Sequence, residues 1–527
     1  MLLKILLLVF FFAVMVAVGI YCRRTVTNVQ GFVLAGRNVG SWLTAFAFGT
    51  SYFSAVIFVG YAGQFGWRYG LAATWIGIGN ALIGSLLAWR ILGRRTRLMT
   101  QYLHSATMPD FFGRRFGSNA LKVAASVIVF IFLIPYTASL YNGLSRLFSM
   151  AFGIDYLWCV LGMAVLTGVY VLVGGYMATA VNDFIQGLIM LVGIVAVILS
   201  VLNGNGGFTA AVERLSQIPS ETAPALGGAF TSFFGPQPLY LLGVVLLTSL
   251  GTWGLPQMVG KFYAIRNEAA IRKGTVISTF FALVVAGGCY FLGGFGRLYG
   301  SVIEYTPAGT PVYDSVIPSM LQTLPDLMIG IVIILVLSAS MSTLSSLVLT
   351  SGSTLTLDII VPAHAATHKG AKLSDKTQLL CIRLLVLCFI AVSSLIAIAQ
   401  ARSSVTFIAQ LMGISWGALA GAFLAPFLYG LYWKRTTPAA VWVSFVSGVA
   451  LMCACMYCNF TGKTFLSPFF SSPINAGVLA MVLGLVLVPL VSLFGRVRNR
   501  GEVDKMFSCY DNTVTVRAST SLVDDTE

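Results

Sequence analysis

The chain is expected to be an all-α polytopic membrane protein. Three observations carry that expectation: 57% of its 527 residues are hydrophobic, only 9% are charged, and the apolar residues fall in long runs. A soluble domain carries roughly 25% charged residues, and no water-soluble core absorbs this much apolar chain without exposing it. A spanning helix needs about 20 apolar residues. Such runs recur at 2–22, 41–66, 70–92, 120–150, 156–175, 183–203, 237–258, 274–298, 327–360, 377–400, 404–432, 437–458 and 474–495, about thirteen spans in all.

The first run is too long for the apolar core of a signal peptide and lacks a small-x-small cleavage site. It is read as a retained extra helix over 1–22 with its N-terminus outside, since Arg23 and Arg24 follow directly. The net charge of +15 would suggest nucleic acid in a soluble protein. Here the basic residues alternate between loops. One set of loops carries Arg37, then Arg94, Arg95, Arg97, Arg114 and Arg115, then Lys261, Arg266, Arg272 and Lys273, then Lys369, Lys372 and Lys376, then Lys434 and Arg435. The other set carries about one each: Arg68, Arg146, Arg214, Arg297, Arg402 and Lys463. That asymmetry marks the first set as cytoplasmic and excludes a polyanion as the reason for the charge.

The second run is interrupted by Gly49, Thr50, Ser51 and Ser54, with Gly60, Gly63 and Gly66 beyond. Broken spans are where transporters place freed carbonyls at a midplane site, although glycine-rich packing helices are also common in membranes. Asp183 is the acidic residue of interest inside the apolar runs. It reads equally as an ion path or, with Asn182, as the N-cap of the span at 183–203. The kink at Gly254-Leu-Pro256-Gln257 reads as a gate, a solute wall or a tolerated bend. In the stretch 337–346, Ser342, Ser345 and Ser346 share one helix face, flanked by Ala339 and Thr343. Such a stripe of oxygens suits a hard monovalent cation, or packs helices together through small residues and hydroxyl bonds. Asp358, at the end of that run, reads as an interface residue.

The stretches 204–236 and 299–326 are the longest polar segments and are expected to cover an outer vestibule. The tail from Gly501 reads as disordered. The nine cysteines are scattered and read as small apolar packers, and three histidines make no zinc site. With no phosphate-binding loop, metal cluster or nucleophile triad, an enzyme is not expected, nor is a cofactor.

Taken in order, Gly31-Phe-Val-Leu-Ala-Gly-Arg37, the broken span through Ser54 and Gly60, Gly174-Gly-Tyr through Asn182-Asp183-x-x-Gln186, Gly254-x-Pro256-Gln257 and Ala339-x-x-Ser342-Thr343 resemble the sodium:solute symporter family, over about 31–500. The resemblance implies the inverted five-helix repeat of the leucine-transporter type, with repeats at 41–203 and 237–432, two further helices in 437–495 and a cytoplasmic tail over 496–527. It implies a sodium site made by the carbonyls of Thr50, Phe53 and Ala339 with the hydroxyls of Ser342 and Thr343. A second sodium site would use Asp183, Ser342, Ser345 and Ser346. Candidate solute residues are Ser54, Ile57, Phe58, Asn80, Tyr136, Tyr141, Trp253 and Gln257. Proline-transporting members carry an Asp where this chain has Tyr52 and an aromatic pair where it has Thr248 and Thr252, which argues against proline. Nor does the Arg of sialic-acid members appear in the region from Ile134 to Ser139. The implied activity is sodium-coupled uptake of a small monocarboxylate or amino-acid-like solute by a multi-pass monomer of the cell (inner) membrane. Its partners would be sodium, the solute and the lipid bilayer, with no nucleic acid and no metal besides sodium. A proton-coupled carrier on the same fold or a membrane solute sensor are the alternatives.

Overall fold

In lipid every backbone N–H and C=O must find a partner inside its own span, so long apolar runs fold as helices. The computed structural model describes residues 2–23, 29–307, 309–368, 371, 373–401, 408–495, 497 and 500–512. Among them the only β pairing is two isolated bridges, Val39 with Ile265 and Tyr305 with Pro311. The main helices are α1 (Leu2–Arg23), α2 (Ser41–Tyr52), α3 (Val56–Tyr102), α4 (Asn119–Phe152), α5 (Tyr156–Gly204), α6 (Pro238–Gly254), α7 (Pro256–Tyr263), α8 (Glu268–Gly293), α9 (Asp326–Thr367), α10 (Asp375–Ala401), α11 (Ile408–Tyr432), α12 (Pro438–Phe460), α13 (Pro473–Phe494) and α14 (Arg500–Phe507). The molecule is an all-α polytopic membrane protein.

The runs do not map one to one onto helices. By length and apolar character ten described helices qualify as spans, or eleven when α6 and α7, bent by 47° at their junction, count as one. Two places account for the difference from thirteen. Helical turns continue through α3 although the chain reverses at Gly70, whose φ of +60° favours glycine. The reversal is visible against α8: Gly49 faces Phe281 and Gly66 meets Gly293, after which Gly77 meets Gly287 and Trp89 faces Gly274. A Cβ on Gly66 would run into the Gly293 carbonyl, so the close packing here depends on glycine.

The second place is α5, which the sequence divides at 175–183 but which is helical throughout. Its N-cap is Asp155, whose side chain accepts the Leu157 N–H at 2.9 Å. Asn182 and Asp183 therefore lie in the helix interior, and the N-cap reading of Asp183 does not hold. Asp358 also differs from expectation: it is buried and accepts the Thr107 hydroxyl at 2.6 Å.

The most apolar stretch of α11 is 83% buried and that of α9 78%, against 22% for α1 and 33% for α10 and α13. The bundle is thus centred on α9 and α11, with α1, α10 and α13 at its rim. Basic residues expected on one side gather there: Arg37 donates to Ser105 O at 2.8 Å, Arg97 to Ile265 O at 2.6 Å and Arg115 to Gly430 O at 3.0 Å. On the opposite side Arg297 donates to Trp67 O at 2.8 Å and lies over the Trp67 and Phe230 rings. Arg24, Lys369, Lys372, Arg402, Arg496, Arg498 and the tail from 513 lie outside the described residues.

The start of the tail departs from the disorder its polarity suggests. Lys434 pairs with Asp504 at 2.7 Å, Tyr510 donates to Leu431 O at 2.8 Å, and Arg94 donates to the carbonyls of Tyr510 and Asn512 at 3.0 and 3.1 Å. Buried Val503, Met506 and Phe507 provide the apolar face that hydropathy averaging over so short a helix hides.

Candidate functional site

The site begins where α2 stops. Helical geometry ends at Phe53 (φ −108°, ψ 132°) and resumes at Ala55, so the last carbonyls of α2 lose their partners four residues on, and Thr50 O keeps only the Phe53 N–H at 3.3 Å. The first N–H after the break is met from another helix: Ala55 N donates to Ser340 Oγ at 3.1 Å. This α9 stretch lies directly against the break. Ser342 Oγ is 3.1 Å from Thr50 O and 3.0 Å from Ala339 O. Thr343 Oγ1 is 3.1 Å from Phe53 O, 3.4 Å from Thr50 O and 3.1 Å from Ala339 O.

All five residues are buried, and their three carbonyls and two hydroxyls converge in one place. The set contains only neutral oxygens, the donor type a hard cation takes. The hydroxyls now donate to the carbonyls; each hydroxyl oxygen keeps lone pairs that a cation could use. The C-terminal end of α2 adds a partial negative charge at the same point.

The second group gathers differently. Ser346 Oγ lies 3.0 Å from Ser51 Oγ and 3.1 Å from Ser342 O, while Ser345 Oγ donates within its own helix to Ser342 O at 2.9 Å. Between Ser346 and Asp183 stands Lys261 of α7. Its ammonium donates to Ser346 Oγ at 2.9 Å and pairs with Asp183 Oδ2 at 3.7 Å.

The model of the sodium:solute symporter family matches residues 32–448. This chain belongs to the sodium:solute symporter family. It is a sodium-coupled symporter of a small solute, embedded in the membrane as a multi-pass protein. Among similar curated proteins are the sodium/proline symporters of Staphylococcus aureus strains JH9 and COL, each 30% identical over 454 residues, covering 84% of this chain and 83% of the relative. Among solved structures, a Na+-coupled sialic acid symporter in a substrate-bound outward-open state superposes with a TM-score of 0.73. It covers 94% of this chain and 99% of its own at 17% identity, a likeness of fold.

The solute candidates of this symporter are all buried, and they divide into groups. Asn80 Oδ1 accepts from Thr248 Oγ1 at 2.9 Å and Ser249 Oγ at 3.1 Å, while its amide nitrogen has no partner. Tyr52 donates to the Thr248 carbonyl and packs edge-on against Trp416, which in turn packs against Tyr136. Ser54 Oγ, Tyr136 Oη and Trp416 Nε1 lack partners. Trp253 Nε1 donates to Ile83 O at 3.1 Å. Phe58 packs against Phe53, whereas Ile57 and Tyr141 are buried without a polar contact to this group. Gln257 lies apart from Asn80, lining a cavity of about 50 Å³ with Lys261, Ser346, Thr179 and Ser353.

Three participants escape a reading of the sequence. Lys261 looks like a loop charge, although it falls four residues after Gln257 and so shares its helix face. Ser51 sits in the break and reaches Ser346. Trp416 gives no signal, being one aromatic residue among many in an apolar run.

Proposed function

We propose that Thr50, Phe53 and Ala339 carbonyls with the Ser342 and Thr343 hydroxyls hold the coupling sodium ion, and that a small monocarboxylate or amino acid binds beside it. The observation that carries this reading is the meeting of two α9 hydroxyls with the carbonyls freed at the α2 break. Sodium bound there ties the broken helix to α9, and so favours the conformation in which the two are together. Because coupling is reciprocal, solute bound next to the break tightens sodium by the same factor.

The solute class follows from the unpartnered groups. Asn80 Nδ2 and Trp416 Nε1 are donors only, and Ser54 and Tyr136 carry hydroxyls that can donate. Donors without a cationic side chain suit a carboxylate whose charge is balanced by the neighbouring sodium. Tyr52, Tyr136 and Trp416 supply an apolar wall, the usual lining of a small-ligand pocket. Relatives named sodium/proline symporters favour a solute of that size, while Tyr52 bonded to Thr248 favours one other than proline.

The chain works as a monomer in the cell membrane by alternating access, its repeats spanning 41–203 and 237–432. Its N-terminus is outside and its Arg94–Arg115 face cytoplasmic, as the basic-loop asymmetry favours. Inward sodium flow down its gradient and the membrane potential, about 2.3 kcal/mol per charge per 100 mV, drive uptake. The test is uptake into proteoliposomes of a panel of monocarboxylates and amino acids under an inward sodium gradient. Accumulation of one class that collapses when sodium is replaced by choline supports the reading. Uptake that persists in choline and follows a proton gradient contradicts it.

A further inference from the structure

A second cluster of charge lies inside the bundle, one turn of α9 away from the sodium site proposed above. Asp183 is fully buried and neither of its carboxylate oxygens accepts a hydrogen bond. Its companion charge is the Lys261 ammonium, 4% exposed and 3.7 Å away. Ser346 accepts from that ammonium at 2.9 Å, and the Tyr176 ring lies 5.2 Å from it, the negative face of an aromatic ring. Ser51 reaches the same Ser346 oxygen at 3.0 Å. A carboxylate, two hydroxyls and the Ser342 carbonyl at 3.1 Å from Ser346 Oγ are what a monovalent cation would choose. The cation standing among them is the protein's own.

The charge count decides what else can enter. One carboxylate and one ammonium cancel. A sodium ion added to the pair would set two positive charges on one carboxylate in a desolvated site, where like charges repel far more than in water. An ion can therefore take this place only when the ammonium is gone. We infer that Lys261 is a tethered cation that occupies a second cation site formed by Asp183, Ser346 and Ser51, and that the symporter consequently binds one sodium ion rather than two. This rests on the first sodium site only for the total count; that Lys261 blocks an ion stands on its own. The cavity of about 50 Å³ beside Lys261, Gln257 and Ser346 leaves room for an ion with water once the side chain is shortened.

The bland alternative is a buried ion pair that merely braces α7 against α5. The two readings part on what happens when the lysine is neutralised. A brace predicts lost stability and no new ion. A tethered cation predicts that sodium takes its place.

The experiment counts radioactive sodium bound at saturation to the purified full-length protein in lipid nanodiscs, with no solute present. The wild type should bind about one ion per chain, Lys261→Arg about one, Lys261→Gln about two, and Lys261→Gln with Asp183→Asn about one again. A Lys261→Gln count that stays at the wild-type value overturns the inference. So does a wild type that binds two ions, a result that needs no variant to fold. A wild type that binds none, with one ion gained in Lys261→Gln, keeps the tethered cation and rejects the first sodium site instead.

Discussion

The Ser342 hydroxyl lies 3.1 Å from the Thr50 carbonyl, joining the middle of α9 to the last turn of α2 across 292 residues of sequence. The helix break makes this contact possible. Without it the Thr50 carbonyl would accept the N–H four residues on in its own helix and point along the helix axis, whereas here it holds only the Phe53 N–H at 3.3 Å and is open to the second helix.

Ser342→Ala and Thr343→Ala each delete one oxygen of the proposed five. A hydrogen bond or ligand to a charged group is worth about 1.5–3 kcal/mol. Each variant should therefore raise the sodium concentration for half-maximal uptake about ten- to a hundredfold, with potassium still unable to substitute. Uptake titrations over sodium check this, and an unchanged midpoint in a folded variant would remove these residues from the ligand set.

Ser340→Ala acts on the fold rather than the ion. It leaves the buried Ala55 N–H without the partner it now has at 3.1 Å. The loss of about 1–3 kcal/mol should lower Tm in choline and in sodium alike, leaving the sodium-induced increment of Tm close to that of the wild type.

Asn80→Ala should separate solute from sodium. The unpartnered amide donor is lost, and solute affinity should fall about tenfold at the level of one hydrogen bond. Because Asn80 is not among the five oxygens, sodium should stabilise the variant as it does the wild type. Isothermal titration with the solute found in uptake, beside thermal melts in sodium, reads both effects.

The docked tail carries its own reporter. Cys509 is buried beneath the Arg94–Tyr510 contact, and burial pushes its thiol up to about 12. The reactive thiolate is then scarce at neutral pH and access is blocked. Tyr510→Ala removes the bond to Leu431 O and should speed maleimide labelling of Cys509 about fivefold, the size of one lost hydrogen bond. Peptide-resolved mass spectrometry of the Cys509 peptide against the wild type reads the change in rate.

Much of this site is legible in the amino-acid sequence, for a physical reason. A break needs small or polar residues, and Gly49, Thr50, Ser51 and Ser54 supply them. A hydroxyl face needs helical spacing, and Ser342, Ser345 and Ser346 have it. What stays hidden depends on how helices end and lean. Hydropathy divides α5 at the polar residues near Asp183, but polar side chains that find buried partners do not stop a helix. Lys261 reads as a loop residue because an averaged window cannot see one ammonium turned inward to a carboxylate on another helix. Residues 501–512 read as disordered because their attachment comes from a short apolar face and single contacts, such as Tyr510 with Leu431 and Lys434 with Asp504, rather than from a long apolar run.

Sodium coupling in this proposal rests on one site, formed by the α2 break and the Ser342–Thr343 turn of α9. The most direct measurement is the melting temperature of the purified wild type and of Ser342→Ala/Thr343→Ala, titrated with sodium and, separately, with potassium at equal ionic strength. A ligand that binds the native state stabilises it by mass action. The expected result is a saturable, sodium-specific rise in the wild type that is lost or shifted to much higher sodium in the double variant. A wild type that melts at the same temperature in both salts, or a double variant that keeps the full sodium response, would contradict it.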